Sequence, residues 1–137
     1  MDKQGKNSVL LAVNGTLMRG LELEQNLLDV GAEFAFESKT ADCYRLWSIR
    51  DQNPAMIRVA PGELPSAKID VEVWRVPAEG LAAVLLKEPE GLSVGKVMLE
   101  DGQMVLGVIG EPVLVKGMKE ITEYGGWRSY IKHIKVE

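Results

Sequence analysis

The sequence is poor in the residues that build disulfide-bonded or metal-centred proteins. Its 137 residues include one cysteine, Cys43, and one histidine, His133. A single cysteine forms no intrachain disulfide, which excludes the disulfide-rich secreted class. One cysteine and one histidine also argue against a Cys/His zinc site within the chain.

Basic charge and long apolar runs are scarce as well. There are 16 Lys and Arg residues against 20 Asp and Glu residues, giving a net charge of −4, which argues against nucleic acid or an anionic membrane as a partner. The apolar run at residues 9–13 is too short for a signal peptide. It is also far shorter than the roughly 18 residues of a membrane helix. We therefore expect a cytoplasmic protein.

The residues that are present suit one soluble domain. Hydrophobic residues make up 46% of the chain and charged residues 26%, a mixture typical of globular proteins. Glycine and proline are spread along the length, and no linker-like stretch divides it. Residues 1–8 are polar. The expected organisation is a flexible N-terminus at residues 1–8 followed by a single domain at residues 9–137.

Short apolar segments separated by turn residues predict an α+β fold. Strands are indicated at 9–13, 34–37, 44–49, 56–59, 68–73, 94–99 and 104–109, and helices near 23–30, 77–88 and 127–134. Asp101-Gly102 is a strong hairpin signal between the last two strands. Many short strands with two or three helices between them indicate a curved or closed, mainly antiparallel sheet. Because regular β-α-β alternation is missing, a doubly wound nucleotide-binding fold is not expected.

The first candidate site follows the first strand, at Asn14, Gly15, Thr16 and Leu17. A strand that breaks at Asn-Gly and opens toward a helix exposes successive backbone N–H groups. These donors, with the Thr16 hydroxyl and the Asn14 amide, suit a small carboxylate or oxyanion. The alternative is an ordinary tight turn, since Asn-Gly turns are common.

Carboxylates form the second candidate. Glu88 and Glu90 lie between a helix and a strand, where partial burial would suit one of them to general acid–base chemistry. Glu72 is placed beside Trp74 on one face of a strand. The alternative for all three is a solvated surface carboxylate, the usual state of Glu.

Two further residues are candidate ligands. Arg128 follows Gly125-Gly126 at the start of the last helix, where it would add a charged donor for an anion; the two glycines are equally explained as a hinge that lets Trp127 enter the core. Tyr44 would either line a pocket or belong to the core with its hydroxyl at the rim.

Several segments, in this order, resemble the C-terminal domain of allophanate hydrolase, in the gamma-glutamylcyclotransferase-like (AIG2-like) family. They are Val13-Asn14-Gly15-Thr16-Leu17 with Met18-Arg19-Gly20, Asp42-Cys43-Tyr44-Arg45-Leu46, Val71-Glu72-Val73-Trp74 and Ile121-Thr122-Glu123-Tyr124-Gly125-Gly126-Trp127-Arg128. The likeness extends over nearly the whole chain. It implies a small mixed barrel with flanking helices.

The resemblance also implies roles for individual residues. Family members bind a substrate carboxylate with the backbone of a Tyr-Gly-Ser type loop, which Gly15 and Thr16 match, whereas Asn14 replaces the aromatic residue. Their catalytic acid–base is a Glu before a Gly at a helix-to-strand junction, which Glu90-Gly91 matches. The remaining lining would come from Leu17, Tyr44, Glu72 and Arg128.

These roles lead to one function and two alternatives. The expected function is that of a free-standing homologue of the domain, acting on a small anionic amide or carbamate in urea and allophanate metabolism, without a metal or organic cofactor. The alternatives are a gamma-glutamylcyclotransferase releasing 5-oxoproline, and a non-catalytic assembly module for a separately encoded amidase. A homodimer would cover exposed strand edges.

Overall fold

The structure, a computed structural model, describes residues 7–135 and contains two β-sheets flanked by short helices. The strands in this range are β1 (Ser8–Val13), β2 (Glu33–Lys39), β3 (Tyr44–Ile49), β4 (Asn53–Arg58), β5 (Asp70–Pro77), β6 (Leu92–Met98), β7 (Met104–Gly110) and β8 (Lys119–Glu120). The helices are α1 (Glu24–Leu28), α2 (Leu81–Leu86) and α3 (Trp127–Lys135). Most of the predicted flexible segment, residues 1–6, lies outside the described residues, and Ser8 begins β1.

The larger sheet is mixed and mainly antiparallel. Its order is β2-β5-β1-β7-β6, and β1 and β7 form its parallel pair. The smaller sheet has the order β4-β3-β8. The hairpin predicted from Asp101-Gly102 is confirmed, because β6 and β7 pair along their full length from Leu92↔Gly110 to Met98↔Met104.

The closed barrel expected from the sequence is wrong for the described residues. Their strands form two separate sheets, and the edge strands β2 and β6 of the larger sheet meet only through the isolated bridge between Thr40 and Leu99. β2 ends at Lys39 and β6 ends at Met98, so the chain leaves both strands before a ladder forms. The larger sheet therefore curls until its edges touch at one end and stays open elsewhere.

Both faces of the central strands are buried. Leu11 and Trp74 belong to the main core, which also contains Leu46 and Tyr130. Alternate residues of β1 and β5, namely Ala12, Val71 and Val73, pack into a second, smaller core together with Leu99 and Val105. Because successive strand residues point to opposite faces, β1 and β5 can contribute to both cores.

Helix α3 closes one end of the main core. The predicted apolar stripe is confirmed for Trp127 and Tyr130, which are both buried, while Ile131 and Ile134 pack against the core from its edge. None of the helices within residues 7–135 has the length and apolar composition to cross a membrane.

Replacing Leu46 by Ala should strongly destabilise the fold. Leu46 lies in β3 with 0% exposure, so the change leaves a cavity and should lower the free energy of unfolding by about 2–5 kcal/mol. Leu86→Ala is the matched control, because Leu86 is 85% exposed and should change stability by less than about 0.5 kcal/mol. Urea unfolding measures both, and equal effects would contradict the assigned core.

Candidate functional site

The loop that follows β1 is buried rather than exposed. Asn14, Thr16 and Leu17 are all buried. The Asn14 side chain donates a hydrogen bond of 2.9 Å from Nδ2 to the carbonyl oxygen of Val108 in β7. This bond ties the end of β1 to its parallel neighbour and fixes the start of the loop.

Gly15 is required by close packing. A Cβ atom at this position would lie 2.4 Å from Cδ and 2.6 Å from Cγ of Pro54, at the start of β4. Distances this short allow no side chain without movement of the loop or of β4. The Asn-Gly pair is therefore used for a close approach between two segments that are distant in sequence.

The loop leaves backbone donors available. It is folded by its own turns, in which Met18 N–H donates to the Gly15 carbonyl and Leu23 N–H donates to the Thr16 carbonyl. Within residues 7–135, the N–H groups of Gly15, Thr16 and Leu17 donate to no protein acceptor. Backbone donors without partners beside a cavity are suited to an anionic oxygen.

Glu88, in the turn after α2, lines the same cavity as the loop. The chain continues past α2 in a turn in which Glu88 N–H donates to the Leu85 carbonyl, at 3.0 Å. The Oε2 atom of Glu88 is buried and has no hydrogen-bond partner among the described residues. It contributes to a cavity of about 10 Å³ lined by residues 13–17, 53–54, Glu88, Leu92 and Val108.

The Glu88 carboxyl is poised to exchange a proton near neutral pH. Burial disfavours its charged form and raises its pKa to about 7, the direction expected when a carboxyl loses water without gaining a partner. No Lys, Arg or His in the described part of the chain pairs with it. A carboxyl with a pKa near the working pH is suited to general acid–base chemistry.

Glu90, the residue proposed from the sequence, lies elsewhere. It is exposed and does not line the cavity. Pro89 stands between the two carboxylates, and it ends the turn after α2 because proline cannot continue a helix. Glu88, before Pro89, lines the cavity, and Glu90, after it, is exposed to solvent.

Glu72 and Arg128 come together, but away from that cavity. Glu72 is only 3% exposed and accepts hydrogen bonds from the backbone N–H of Arg19 at 2.9 Å and from Trp74 Nε1 at 3.2 Å. Its Oε2 atom also accepts from the guanidinium groups of Arg19 at 3.2 Å and Arg128 at 3.1 Å. Arg128 donates in addition to the Arg19 carbonyl, at 2.6 Å.

These bonds keep Glu72 ionised. Burial alone would raise the pKa of Glu72, but the hydrogen bonds from Arg19, Trp74 and Arg128 outweigh it and hold the pKa below its ordinary value. Each carboxylate oxygen of Glu72 accepts two hydrogen bonds. The two residues expected to contact substrate instead bind each other and the loop at Arg19.

A larger cavity of about 390 Å³ adjoins this cluster, lined by Met18, residues 37–39, residues 70–72, Glu100, Trp127 and Arg128. Its charged groups are already paired. Glu37 binds Arg19, Lys39 binds Asp70, and Glu100 binds Lys68. Because it offers no unpaired reactive group, we regard the smaller Glu88 cavity as the candidate active site.

Tyr44 belongs to the core, the second of the two roles considered from the sequence. It is fully buried, and its hydroxyl accepts a hydrogen bond of 3.0 Å from the Met98 N–H. Its pKa is raised, chiefly because burial disfavours the phenolate. It lines neither cavity.

Sequence reasoning left open whether Glu88 or Glu90 reaches the pocket, and it missed the contributions of Asn53 and Pro54. One signal was available for Glu88. In the helix predicted at 77–88 it falls four residues after Val84, which is buried, although α2 itself ends at Leu86. Asn53 and Pro54 had no such signal, because they reach the loop only through the packing of two sheets.

Replacing Gly15 by Ala should destabilise the fold through its contact with Pro54. The added methyl overpacks the loop, and we expect a loss of about 1–3 kcal/mol in the free energy of unfolding. In a Pro54→Ala background the clashing ring atoms are absent, so the same change should cost less than about 1 kcal/mol. A double-mutant cycle measures this coupling, and strictly additive effects would contradict the close contact.

Replacing Glu72 by Gln should lower stability in a pH-dependent way. The change removes charged hydrogen bonds to two arginines whose side chains are 42% and 49% exposed, which should cost about 1–3 kcal/mol at pH 7. A carboxyl whose folded pKa is depressed stabilises the fold above its ordinary pKa of 4.5, and this stabilisation disappears as the pH falls through the folded value. The difference between wild type and variant should therefore shrink below about pH 4.5.

Glu37→Gln is the matched control for that experiment. Glu37 pairs with the same Arg19, but its side chain is 75% exposed, and the change should cost less than about 1 kcal/mol. Chemical unfolding between pH 3 and pH 7 measures both variants. A pH-independent effect of Glu72→Gln would contradict the assigned ionisation.

Known proteins resemble the chain along nearly its whole length. Residues 9–132 match the family model of the allophanate hydrolase C-terminal domain. Urea amidolyase of Lachancea kluyveri is 35% identical over 142 residues, which cover 99% of this chain and 8% of that protein. The chain thus spans a small part of the curated relatives it matches.

Solved structures agree with this match. A protein described as specific to uropathogenic E. coli is 51% identical, with a TM-score of 0.88, over 93% of this chain and 98% of that one. An AIG2-like protein from Mus musculus shares the fold at 18% identity, with a TM-score of 0.56, over 80% of this chain and 83% of that one. With 124 of its residues matched by the family model, the chain belongs to the allophanate hydrolase C-terminal domain family.

Proposed function

We propose that the chain catalyses proton transfer to a small anionic amide or carbamate in urea-derived nitrogen metabolism. The cavity between the Gly15–Leu17 loop and Glu88 is the proposed active site. The observation that supports this best is the buried, unpartnered Oε2 atom of Glu88, because Glu88 lines the same cavity as the loop residues Gly15, Thr16 and Leu17. An unsatisfied buried carboxyl is costly for a fold to keep, so a chemical use for it is the simplest explanation.

The proposed step is a decarboxylation assisted by a general acid. The backbone N–H groups of Gly15, Thr16 and Leu17 hold the carbamate carboxylate. As its C–N bond breaks, carbon dioxide leaves, the electron pair of the bond stays on nitrogen, and the neutral Glu88 carboxyl gives its proton to that nitrogen. The Glu88 carboxylate then takes a proton from solvent, and the acid is restored.

Cavity size favours a small substrate. A volume of about 10 Å³ accommodates one water-sized molecule. A carbamate therefore fits only if the lining side chains move outward. A γ-glutamyl dipeptide is several times larger, so it would also require a different backbone conformation of the loop. This difference, together with Asn14 in place of the family aromatic, favours the carbamate over gamma-glutamyl cyclisation.

The link to urea metabolism is proposed from the family and from the similarity to urea amidolyase. The chain spans 8% of that relative, and the amide-cleaving step is assigned in this proposal to an amidase. We propose that such an amidase supplies the substrate. A purely structural module would need no unpartnered carboxyl in a cavity, and this disfavours the non-catalytic alternative.

Replacing Glu88 by Gln should abolish turnover, while Glu90→Gln should leave it unchanged. Each variant removes one carboxylate from the same segment, but only Glu88 reaches the cavity. Carbon dioxide and ammonia release are measured from allophanate with an allophanate-cleaving amidase, with and without this chain. Loss of a general acid should reduce the added rate by about 10²–10⁴-fold.

The pH profile of the same reaction tests the protonation state. A general acid must be neutral, so the added rate should fall as the pH rises through about 7, the pKa of Glu88.

Equal loss of turnover in Glu88→Gln and Glu90→Gln would contradict the assignment to Glu88. Growth of 5-oxoproline from γ-glutamyl dipeptides would favour cyclisation, and no effect on either reaction would contradict a catalytic role.

A further inference from the structure

Pro54 limits the Glu88 cavity on the side of β4. It is buried and lines the cavity together with Gly15. A Cβ atom added to Gly15 would lie 2.4 Å from Cδ and 2.6 Å from Cγ of Pro54, so the proline ring packs directly on the backbone of the loop. Because the ring is closed onto the backbone nitrogen, no side-chain rotation can move these two carbons away.

The backbone of Pro54 is held in place as well. It pairs with Ser48 in the ladder between β3 and β4, and its neighbours Asn53 and Ala55 are both buried. β4 is an edge strand of the smaller sheet, where a residue without an N–H group is tolerated. The ring is therefore a fixed boundary of the cavity.

The opposite boundary is easier to displace. The Glu88 side chain has rotatable bonds, and its Oε2 atom has no hydrogen-bond partner among the described residues. The cavity volume of about 10 Å³ accommodates one water-sized molecule, so a larger ligand must displace part of the lining. Room can be gained at Glu88, whereas Pro54 blocks any extension of the ligand toward β4.

We propose that Pro54 is the specificity-determining residue of this site and restricts its ligand to a carboxylate that carries one small group. The choice of a carboxylate rests on the proposed function. The Pro54 ring has no hydrogen-bonding group to offer a ligand, so it acts by excluding longer molecules. A carbamate, with one amino group on its carboxylate, lies within this limit.

The test is a titration with acetate, propionate, butyrate and pentanoate at pH 6, below the Glu88 pKa of about 7. Binding is followed by the backbone N–H signals of residues 15–17. Acetate has the size of a carbamate, and wild-type affinity should fall with each further carbon. Pro54→Ala lacks two ring carbons, which leaves room for two methylene groups.

Pro54→Ala should therefore improve the affinity for butyrate, relative to acetate, by about tenfold over the wild type, because each buried methylene group strengthens binding roughly fourfold. Pentanoate, which is one carbon longer, should gain no more than butyrate. Pro61→Ala is the matched control, because Pro61 is exposed and does not line the cavity. Unchanged selection in Pro54→Ala, or the same change in Pro61→Ala, would overturn the inference.

A double variant separates size exclusion from a general loosening of the fold. The methyl group of Gly15→Ala overlaps the space of the missing ring carbons, since it would lie 2.4 Å and 2.6 Å from their positions. Combining Gly15→Ala with Pro54→Ala should therefore return the selection against butyrate toward that of the wild type. Butyrate binding that stays fully raised in the double variant would contradict exclusion by the ring.

A second measurement uses the wild-type chain and does not depend on a variant that folds. Bound acetate should show nuclear Overhauser effects from its methyl group to the Cγ and Cδ hydrogens of Pro54. Acetate binding without these contacts, or no binding of any of the four carboxylates, would overturn the inference.

Turnover and binding separate the two proposals. Length selection that follows Pro54, without decarboxylation, would leave this inference in place and contradict the proposed function. Decarboxylation that depends on Glu88, with the same length selection in Pro54→Ala as in the wild type, would do the reverse.

Discussion

The position of the candidate site depends on the buried carboxylate of Glu72. This side chain binds the backbone N–H and the guanidinium of Arg19, and it also binds Arg128 at the start of α3. Arg19 lies only two residues after the cavity-lining segment Asn14–Leu17. One carboxylate in β5 therefore holds the far end of the loop, at Arg19, against the start of α3.

Two buried carboxyls in the same fold show how environment decides role. Glu72 has four donors around it, so burial is offset and its pKa is depressed. Glu88 has none among the described residues, so burial raises its pKa to about 7. The first is a satisfied structural anion with nothing left to react. The second is left with an acceptor oxygen that has no partner among the described residues, which is why the proposed chemistry uses Glu88 and not Glu72.

Local patterns in the sequence predicted much of the fold. The β6–β7 hairpin follows from Asp101-Gly102, and the burial of Trp127 and Tyr130 follows from helical spacing. The alternation in β5 predicted one buried face, yet Glu72 and Trp74 on the other face are buried too, because a curled sheet covers both sides of its central strands. The open sheet and the contact between Gly15 and Pro54 depend on long-range packing, which local periodicity does not encode.

The distinction between Glu88 and Glu90 depends on one residue, Pro89. A family pattern that pairs Glu with Gly selects Glu90, whereas the residue that lines the cavity is Glu88, in the turn that follows α2. Pro89 decides between them, because it ends the helical turn directly after Glu88 and sends the next carboxylate to solvent. The backbone geometry around Pro89 therefore sets the directions of the Glu88 and Glu90 side chains. A motif match therefore locates a segment, and the backbone of the turn after α2 determines which carboxylate in that segment faces the cavity.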